Sequence, residues 1–414
     1  MRVLIVTQYF WPENFRINDL AIGLQERGHE VSVLAGLPNY PQGRLHPGYG
    51  FVRGPYSERF EGMPVYRVPL VTRGPSKGAR LALNFASFAL AASLLGPLRI
   101  RGRFDALLVY EPSPITVALP AIVLKRLRRT PMALWVQDLW PETLSATGAL
   151  RSSVMLERVR SLVRFIYRHC DRLLLSSPGF IQHAIAHGVA ADRAVYFPNW
   201  AEKFYRPMNR EEASREVDDF PPQGVRMLFA GNLGSSQSLA TLVEAAGRLR
   251  HRKDIVWVLI GEGNERRTLE RLVADRGLQD NVRFLGHRPS EKMPAYFALA
   301  DGLLVTLRND PVFALTVPSK VQTYLACARP VLAALPGDGR AVIEQAQAGL
   351  TCAPDDPEAL ARIAEQFADL DPAERNRLAG NARSYFERNF EREMLLDRLE
   401  NVLSSMVEEA RCAS

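Results

Sequence analysis

MLFAGNLGSSQSLATLVEAAGRL, residues 227–249, contains the pattern of one strand, one turn and one helix. Its first part, Met227–Ala230, is a short continuous apolar run, which is typical of a parallel strand covered on both faces. The glycine-bearing segment GNLGSSQS follows as a turn, and the pattern of Leu239–Leu249 predicts a helix. This succession indicates an α/β fold with a parallel sheet.

The same succession recurs in both halves of the chain, which implies an α/β protein made of two doubly wound, Rossmann-like domains. We predict a first domain over 1–200 and a second over 201–385, because the pattern changes around FPNWAEKFYRP (197–207). A helical pattern over 371–409, with a break near Asn389, leaves residues 386–414 as a C-terminal helix expected to pack back toward the first domain. The other predicted elements are the strands Val3–Thr7, Glu30–Leu34, Ala106–Tyr110, Met132–Val136, Ile255–Ile260, Gly302–Thr306 and Val331–Ala334, and the helices Ile17–Arg27, Val154–His169 and Glu265–Arg276.

Composition favours a globular, enzyme-like protein in a reducing compartment. The 414 residues suit two domains, and 47% are hydrophobic and 23% charged. The four cysteines are scattered, without the spacing of a disulfide framework or a structural zinc site. The N-terminal MRVLIVTQYFWPE has too short an apolar run for a signal peptide, so we expect a cytoplasmic protein.

The net charge of +7 is concentrated in two segments. Residues 99–129 carry seven Lys and Arg, and residues 151–172 carry six Arg. These are either solvated faces or a surface for an anionic partner, of which a membrane fits better than nucleic acid. No zinc-finger, helix-turn-helix or RNP-type pattern is present, so we expect no nucleic acid partner.

LALNFASFALAASLLGPL, residues 81–98, contains no charged residue and reaches the lower length limit of a membrane span. Three interpretations stay open: a buried crossover helix, a helix lying partly in the membrane interface, and a true span. Asn84 and the Gly96–Pro97 pair count against a span, and the flanking arginines favour the interface.

Ligands of open α/β sheets bind outside the carboxyl ends of the strands, so the loops there are where we look for a site. Two glycine-bearing loops and one helix start in the second half suggest a cradle for a diphosphate. The candidate residues in these loops are Asn14, Arg16 and Asp138 in the first half, and Gly231, Asn232, Gln237, Gly261, Gly263, Ser319, Lys320 and Thr323 in the second.

VPSKVQTYLACARPVLAA, residues 317–334, raises a question about charge. Ser319 and Gln322 have the spacing of a capping box at a helix start. Lys320 then places a cation where the helix macrodipole is already positive, which is unfavourable unless an anion binds there.

Other chemistries receive little support. GEGNER (261–266) lacks the third glycine of a dinucleotide fingerprint. DLD at 369–371 has the form of a metal motif, but the DPAE at 371–374 fits a helix start better. We find no His/Asp/Glu cluster with metal-ligand spacing, so no metal ion is expected.

Several segments resemble the retaining GT-B-fold glycosyltransferases of family 4, especially those that add amino or deoxy sugars, such as N-acetylfucosamine, to lipid-linked O-antigen, capsule or colanic acid units. The segments are YFWPENFRINDLA (9–21), RGHEVSVL (27–34), LPNYPQG (37–43), WVQDLWPETLSATG (135–148), YFPNWAE (196–202), FAGNLGSSQSLATLVEAA (229–246) and VPSKVQTYLACARPVLAA (317–334). The resemblance implies two Rossmann-like domains facing each other across a cleft. It also implies an acceptor on the first domain and a nucleotide-sugar on the second.

The chain departs from that family at positions that matter. Asn232 and Gln237 stand where the family has the Arg and Lys that hold the donor diphosphate. Leu315 and Thr323 stand where it has two glutamates, the second of which binds the ribose. Lys320 is therefore the candidate to supply the missing positive charge.

The resemblance further implies front-face transfer with retention and without a metal ion, from a nucleoside-diphosphate sugar that we expect to be UDP-linked. Asn14 and Arg16 would approach the donor phosphates or the sugar, and Asp138 would orient the sugar or the acceptor hydroxyl. The expected partners are a polyprenyl-diphosphate-linked acceptor and the anionic inner face of the cell membrane, with peripheral attachment. Alternatives are a catalytically degenerate membrane-surface protein of the same fold, a GT-B-fold nucleotide-sugar epimerase and a dehydrogenase.

Overall fold

The computed structural model describes residues 1–74 and 78–412, and the chain divides into two α/β units. The first unit is Met1–Phe197 together with the chain from Glu393 onward, and the second is Pro198–Arg392. The chain therefore leaves the first unit after Phe197 and rejoins it at Glu393.

The first unit is built on an eight-stranded sheet in the order β3-β4-β2-β1-β5-β6-β7-β8. β3 runs antiparallel to β4, and the other neighbouring strands are parallel. Its strands are β1 (Arg2–Val6), β2 (Glu30–Gly36), β3 (Ser57–Phe60), β4 (Met63–Val68), β5 (Ala106–Glu111), β6 (Met132–Val136), β7 (Arg172–Leu175) and β8 (Ala194–Tyr196).

The second unit has a six-stranded parallel sheet in the order β11-β10-β9-β12-β13-β14. This is the strand order of dinucleotide-binding folds, and it reverses between β9 and β12. Its strands are β9 (Val225–Ala230), β10 (Ile255–Ile260), β11 (Val282–Gly286), β12 (Gly302–Thr306), β13 (Val331–Ala334) and β14 (Gly349–Cys352). The prediction of a parallel α/β architecture in both halves is confirmed, and the bounds of β6, β10, β12 and β13 agree with the predicted strands.

Helices follow most of the strands. They are α1 (Arg16–Glu26), α2 (Ala79–Arg99), α3 (Ala118–Arg128), α4 (Glu142–Ala146), α5 (Ser153–His169), α6 (Pro178–Ala186), α7 (Arg210–Glu216), α8 (Leu239–Arg248), α9 (Arg266–Asp275), α10 (Met293–Leu299), α11 (Pro311–Ala314), α12 (Ser319–Ala326), α13 (Gly337–Ala346), α14 (Pro357–Asp369), α15 (Pro372–Asn389) and α16 (Arg392–Cys412). The predicted break near Asn389 separates α15 from α16. Asp371 caps α15 by accepting a hydrogen bond from the Glu374 amide at 2.8 Å, which confirms that DLD is a helix start.

α2 is the segment for which three interpretations were open. Within the described residues it is the one helix long and apolar enough to cross a membrane, yet only 28% of its most apolar window is buried. Asn84 lies on the buried face, where its side chain accepts a hydrogen bond from Gln8 at 2.7 Å. The opposite face carries four exposed leucines, Leu83, Leu90, Leu94 and Leu98. The interpretation as a buried crossover helix is therefore right about the crossover and wrong about the burial, because α2 connects β4 to β5 with only one face packed.

α16 lies on the first unit, and charge and apolar packing both hold it there. The Arg27 guanidinium forms ion pairs with Glu393, Asp397 and Glu400 at 3.0, 2.5 and 2.6 Å. The helix also has a fully buried leucine stripe at Leu395, Leu396, Leu399 and Leu403. The last helix of the chain is thus an integral part of the first unit.

Candidate active site

The reversal of strand order between β9 and β12 is where a ligand is expected in the second unit. Tyr324 of α12 bridges β9 and β12. Its hydroxyl donates to the Leu304 carbonyl of β12 and accepts from the Ala230 amide of β9, both at 3.3 Å. α12 is thereby anchored beside the carboxyl ends of both strands. The loops after β9 and β10 and the start of α12 therefore lie close together.

Two glycines let the loops after β9 and β10 approach each other. Gly231 and Gly261 have φ of 141° and 140°, and a Cβ on Gly261 would lie 1.8 Å from the Gly231 carbonyl oxygen. Their amides are already used, since Gly231 donates to Ile260 and Gly261 donates to Gly286, both at 2.9 Å. Gly263 is similarly tight, because its Cβ would lie 2.2 Å from the Leu233 carbonyl oxygen. These glycines shape the loops, and their role in a cradle is close approach rather than donation of free amides.

The Lys320 side chain lies beneath the first of these loops instead of pointing to solvent. Its amine donates to Gln237 Oε1 and stands 4.7 Å from the centre of the Phe229 ring. A Cβ on Gly231 would lie only 2.6 Å from Lys320 Cε. Burial lowers the pKa of the Lys320 amine to about 8. No carboxylate among the described residues pairs with this cation, whose contacts are an amide oxygen and an aromatic ring, so its positive charge is uncompensated.

The start of α12 differs from the predicted capping box. Pro318 occupies the N-cap and Ser319 is the first helical residue, so the Ser319 side chain cannot cap the helix. Gln322 is buried, and in the orientation that satisfies its amide it donates to the Pro318 carbonyl at 2.9 Å. The capping box prediction is therefore wrong, because proline took the N-cap and shifted the serine one position inward.

The remaining candidates of the second unit lie around Lys320 in different environments. Asn232 is exposed at the turn after β9, and Gln237 ends a 3₁₀ turn over Ser235–Gln237. Thr323 is buried, and its hydroxyl donates to the Ser319 carbonyl at 3.1 Å. Thr323 therefore uses its hydroxyl within α12, whereas Gln237 accepts a hydrogen bond from the Lys320 amine through its side-chain amide oxygen.

Asn14 and Arg16 lie at the start of α1 in the first unit. Asn14 is exposed, and Arg16 is the first helical residue after Phe15, which offers no side-chain cap. The preceding Glu13, which the sequence analysis missed, is buried and accepts the amides of Asn39 and Tyr40 at 2.8 and 2.7 Å. Burial raises the pKa of Glu13 to about 7 despite these bonds. Glu13 thus ties the loop after β1 to the loop after β2.

An aromatic cluster beside Glu13 was also missed from the sequence. The Tyr9 and Phe15 rings stack at 5.1 Å, and both contact the ring of Tyr40. The Arg73 guanidinium lies 5.0 Å from the Tyr40 ring centre and donates to the Tyr9 hydroxyl at 3.1 Å. In the sequence, only YFWPENF (9–15) shows closely spaced aromatic residues, whereas Tyr40 and Arg73 come from loops that are distant along the chain.

Asp138 follows β6 and is held firmly. Its carboxylate accepts from the Thr143 hydroxyl at 2.6 Å and from the Trp140 indole at 3.3 Å. Next to it, Glu111 at the end of β5 is fully buried, and its carboxyl oxygens have no hydrogen-bond partner in the described chain. Burial raises the pKa of Asp138, and burial together with the Asp138 charge raises that of Glu111 far more. Two carboxyl groups with raised pKa values, one of them fully buried, therefore lie next to each other.

The structure also brings together three groups that can bind a metal. Ligand atoms of Glu142, His183 and His187 all lie within 4.8 Å of one another. The statement that the chain has no cluster with metal-ligand spacing is therefore wrong. The signal was present in HAIAH (183–187), whose histidines lie one helical turn apart, but Glu142 is far away in sequence.

Two family models match the two halves of the chain. One, described as a glycosyl transferase 4-like domain, matches residues 14–200, and the other, described as glycosyl transferases group 1, matches residues 224–369. The structure of HepE from Anabaena, solved in complex with UDP, has a TM-score of 0.71 and 16% identity, covering 98% of this chain and 100% of HepE. Each half of the chain is a glycosyltransferase domain, and the fold is GT-B.

Two bacterial relatives are named as glycosyltransferases, and the name of one of them refers to colanic acid biosynthesis. WcaI of Escherichia coli K12, named for colanic acid biosynthesis, is 28% identical over 79% of this chain and 81% of WcaI. WbjE of Pseudomonas aeruginosa, named as a glycosyltransferase, is 29% identical over 67% of this chain and 69% of WbjE. The glycosyltransferase is thus related to enzymes of colanic acid biosynthesis, and the expected fold is confirmed.

Proposed function

We propose that this glycosyltransferase moves an amino or deoxy sugar, with retention, from a UDP-linked donor to a polyprenyl-diphosphate-linked saccharide in bacterial surface polysaccharide synthesis. The observation that carries the proposal is the uncompensated Lys320 cation at the point where the strand order of the second unit reverses. The UDP complex of HepE supports a nucleotide-sugar donor, and the name of WcaI supports the polysaccharide context.

Lys320 would neutralise the diphosphate as it leaves. Charge grows on the β-phosphate during transfer, and a cation already in place stabilises it without reorganisation. Phe229 and Gln237 hold the amine, and the N-terminus of α12 adds the positive end of a helix dipole. This chain would therefore do with Lys320 what the wider family does with an Arg and a Lys, and no metal cofactor is proposed for the step.

Asp138 and the start of α1 would serve the transferred sugar and the acceptor. Thr143 and Trp140 fix the Asp138 carboxylate, which can accept a hydrogen bond from a sugar hydroxyl. Asn14 and Arg16 offer an amide and a guanidinium, which suit phosphate or hydroxyl groups. In front-face transfer these groups orient the reactants, and the departing phosphate takes the acceptor proton.

The membrane would supply the acceptor. The exposed leucines of α2 form one apolar row, with side-chain exposures of 63% at Leu90 and 62% at Leu94. Arg99, Arg101 and Arg103 follow directly in the sequence and add positive charge for anionic headgroups. We therefore propose peripheral attachment of the enzyme to the cytoplasmic face of the cell membrane.

The test is nucleotide release from a panel of UDP-sugars in the presence of a polyprenyl-diphosphate-linked saccharide. We expect acceptor-dependent release of UDP from one amino or deoxy sugar donor, and an NMR spectrum showing the donor's anomeric configuration in the product. An inverted product would contradict retention. A panel without acceptor-dependent release would favour the catalytically degenerate alternative.

A further inference from the structure

Glu142, His183 and His187 form a cluster that the proposed transfer does not use. Glu142 is the first residue of α4, His183 lies within α6, and His187 directly follows α6. The two histidines are four residues apart, so they project from the same face of the helix. The cluster therefore joins the end of α6 to the start of α4.

The ligand atoms of the cluster lie close enough together to share one ion. His183 Nε2 lies 3.1 Å from Glu142 Oε2, and apart from this contact neither atom has a hydrogen-bond partner within the described chain. Tetrahedral zinc sites, with Zn–N and Zn–O of about 2.0–2.2 Å, separate neighbouring ligand atoms by about 3.4 Å. The His183 side chain is only 9% exposed, so a buried imidazole without a hydrogen bond faces the carboxylate.

His187 presents its other nitrogen in the form that a metal needs. Its Nδ1 lies 2.9 Å from the His183 carbonyl oxygen, and a carbonyl can only accept, so Nδ1 carries the proton. The lone pair is then on Nε2, in the arrangement that orients metal-ligating histidines.

One positive charge already lies nearby. Arg160 of α5 stands 3.9 Å from Glu142 Oε1, the oxygen that does not face His183. Arg160 also pairs with Glu157 at 2.5 Å, so its charge is shared between two carboxylates. Glu142 Oε2 is thus left for the histidine side of the cluster.

We propose that Glu142, His183 and His187 bind one zinc ion through two imidazoles and one carboxylate, with a fourth position open to water. Such a donor set suits Zn²⁺ and Co²⁺ and disfavours Mg²⁺, which prefers oxygen ligands in an octahedron. Zinc would connect α4 to α6. Because Thr143 of α4 holds Asp138 at 2.6 Å, the ion would act as a structural clip behind the Asp138 loop.

The test measures binding of the metal alone to the full chain after chelator treatment and dialysis. We expect isothermal titration with Zn²⁺ to give one site per chain, and Co²⁺ to show the ligand-field absorption of a site with fewer than six ligands. With Zn²⁺ at about a hundred times its dissociation constant, the melting temperature should rise by about 5–10 °C. Mg²⁺ should cause neither effect.

Variants identify the ligands. His183→Ala, His187→Ala and Glu142→Gln should each weaken zinc binding by on the order of a hundredfold or more. The control His251→Ala removes an exposed histidine of the second unit and should bind zinc as the wild type does. Should a variant fail to fold, the Co²⁺ spectrum of the other two decides. Zinc binding that is absent in the wild type, or unchanged in the three variants, would overturn the proposal.

Discussion

Lys320→Met is expected to abolish most of the transferase activity while leaving the fold intact. Methionine keeps the length and apolar stem of lysine, so it can still cover Phe229 beneath Gly231. A cation at roughly 4 Å from a phosphate oxygen contributes about 4 kcal/mol at an effective dielectric of 20. Loss of one such contact in a transition state corresponds to about a hundredfold to a thousandfold in kcat/KM.

The stability of the same variant is expected to move in the opposite direction. A pKa that falls from 10.5 to about 8 means that folding opposes the charged amine by about 3 kcal/mol. Removing the amine also removes its bond to Gln237 and its contact with the Phe229 ring, which together stabilise by about 1–2 kcal/mol. The melting temperature should therefore stay the same or rise by a few degrees.

The stability difference between Lys320→Met and wild type should depend on pH, because folding lowers the pKa of the Lys320 amine. The Lys320 amine has a lower pKa in the folded than in the unfolded protein. Its charge therefore lowers the free energy of unfolding fully below about pH 8, and this effect disappears as the pH rises to 10.5. The advantage of Lys320→Met should therefore be seen at pH 7 and fade over that interval. Lys320→Arg should restore activity poorly, since a forked guanidinium does not fit a space made for an ammonium.

The assay is steady-state UDP release next to a thermal melt at pH 7 and at pH 10. Lys292→Met, which removes an exposed lysine of the same unit, is the matched control and should behave as wild type in both. Wild-type turnover of Lys320→Met would refute the electrostatic role of this residue. A melting temperature lowered by many degrees would mean that the lysine serves folding instead.

Three further results are expected. Turnover should persist in EDTA below the melting temperature of the metal-free protein, because the proposed transfer stabilises the diphosphate with the Lys320 cation rather than with a metal ion; loss of UDP release that Mg²⁺ or Mn²⁺ restores would contradict this. The double variant Leu90→Glu/Leu94→Glu should co-sediment with anionic vesicles at least about tenfold less than wild type, at an unchanged melting temperature, because the two exposed leucines would no longer be buried in lipid. The control is Val52→Glu, which also changes an exposed apolar residue. Equal vesicle binding of the double variant and the control would refute the membrane interface. Arg27→Ala should lower the free energy of unfolding by about 2 kcal/mol and the melting temperature by about 4–8 °C, because it removes the ion pairs with α16. The control Arg215→Ala breaks one exposed ion pair and should change the melting temperature little. An unchanged melting temperature of Arg27→Ala would show that apolar packing alone holds α16.

Local pattern predicted the sheets well and the contacts poorly. β6 and β10 are apolar runs, each bounded by one polar residue and by a proline or a glycine, so their limits could be predicted from the sequence. The capping box failed because Ser-x-x-Gln spacing does not reveal that Pro318 holds the N-cap. α2 was ambiguous because an apolar composition is common to core and interfacial helices, and only packing shows which leucines stay exposed.

The site could be predicted where it depends on the ends of strands, and not where it depends on side chains from separate loops. Lys320 and Asp138 were predicted because both follow strands at the edge where ligands bind. The Glu111 carboxyl behind Asp138 could not be recognised as a partner, since its importance comes from complete burial. Likewise, the Glu142–His183 approach joins elements separated by α5.

The return of α16 to the first unit has a consequence for the order of synthesis. When residue 392 leaves the ribosome, all strands of the first sheet have been made, but the helix that buries Leu395, Leu399 and Leu403 has not. The second unit, by contrast, is complete at that point, since it consists of one continuous segment. The half of the enzyme that is made first is therefore finished last, and a nascent chain or a C-terminal truncation that stops short of α16 would expose an apolar surface that chaperones recognise.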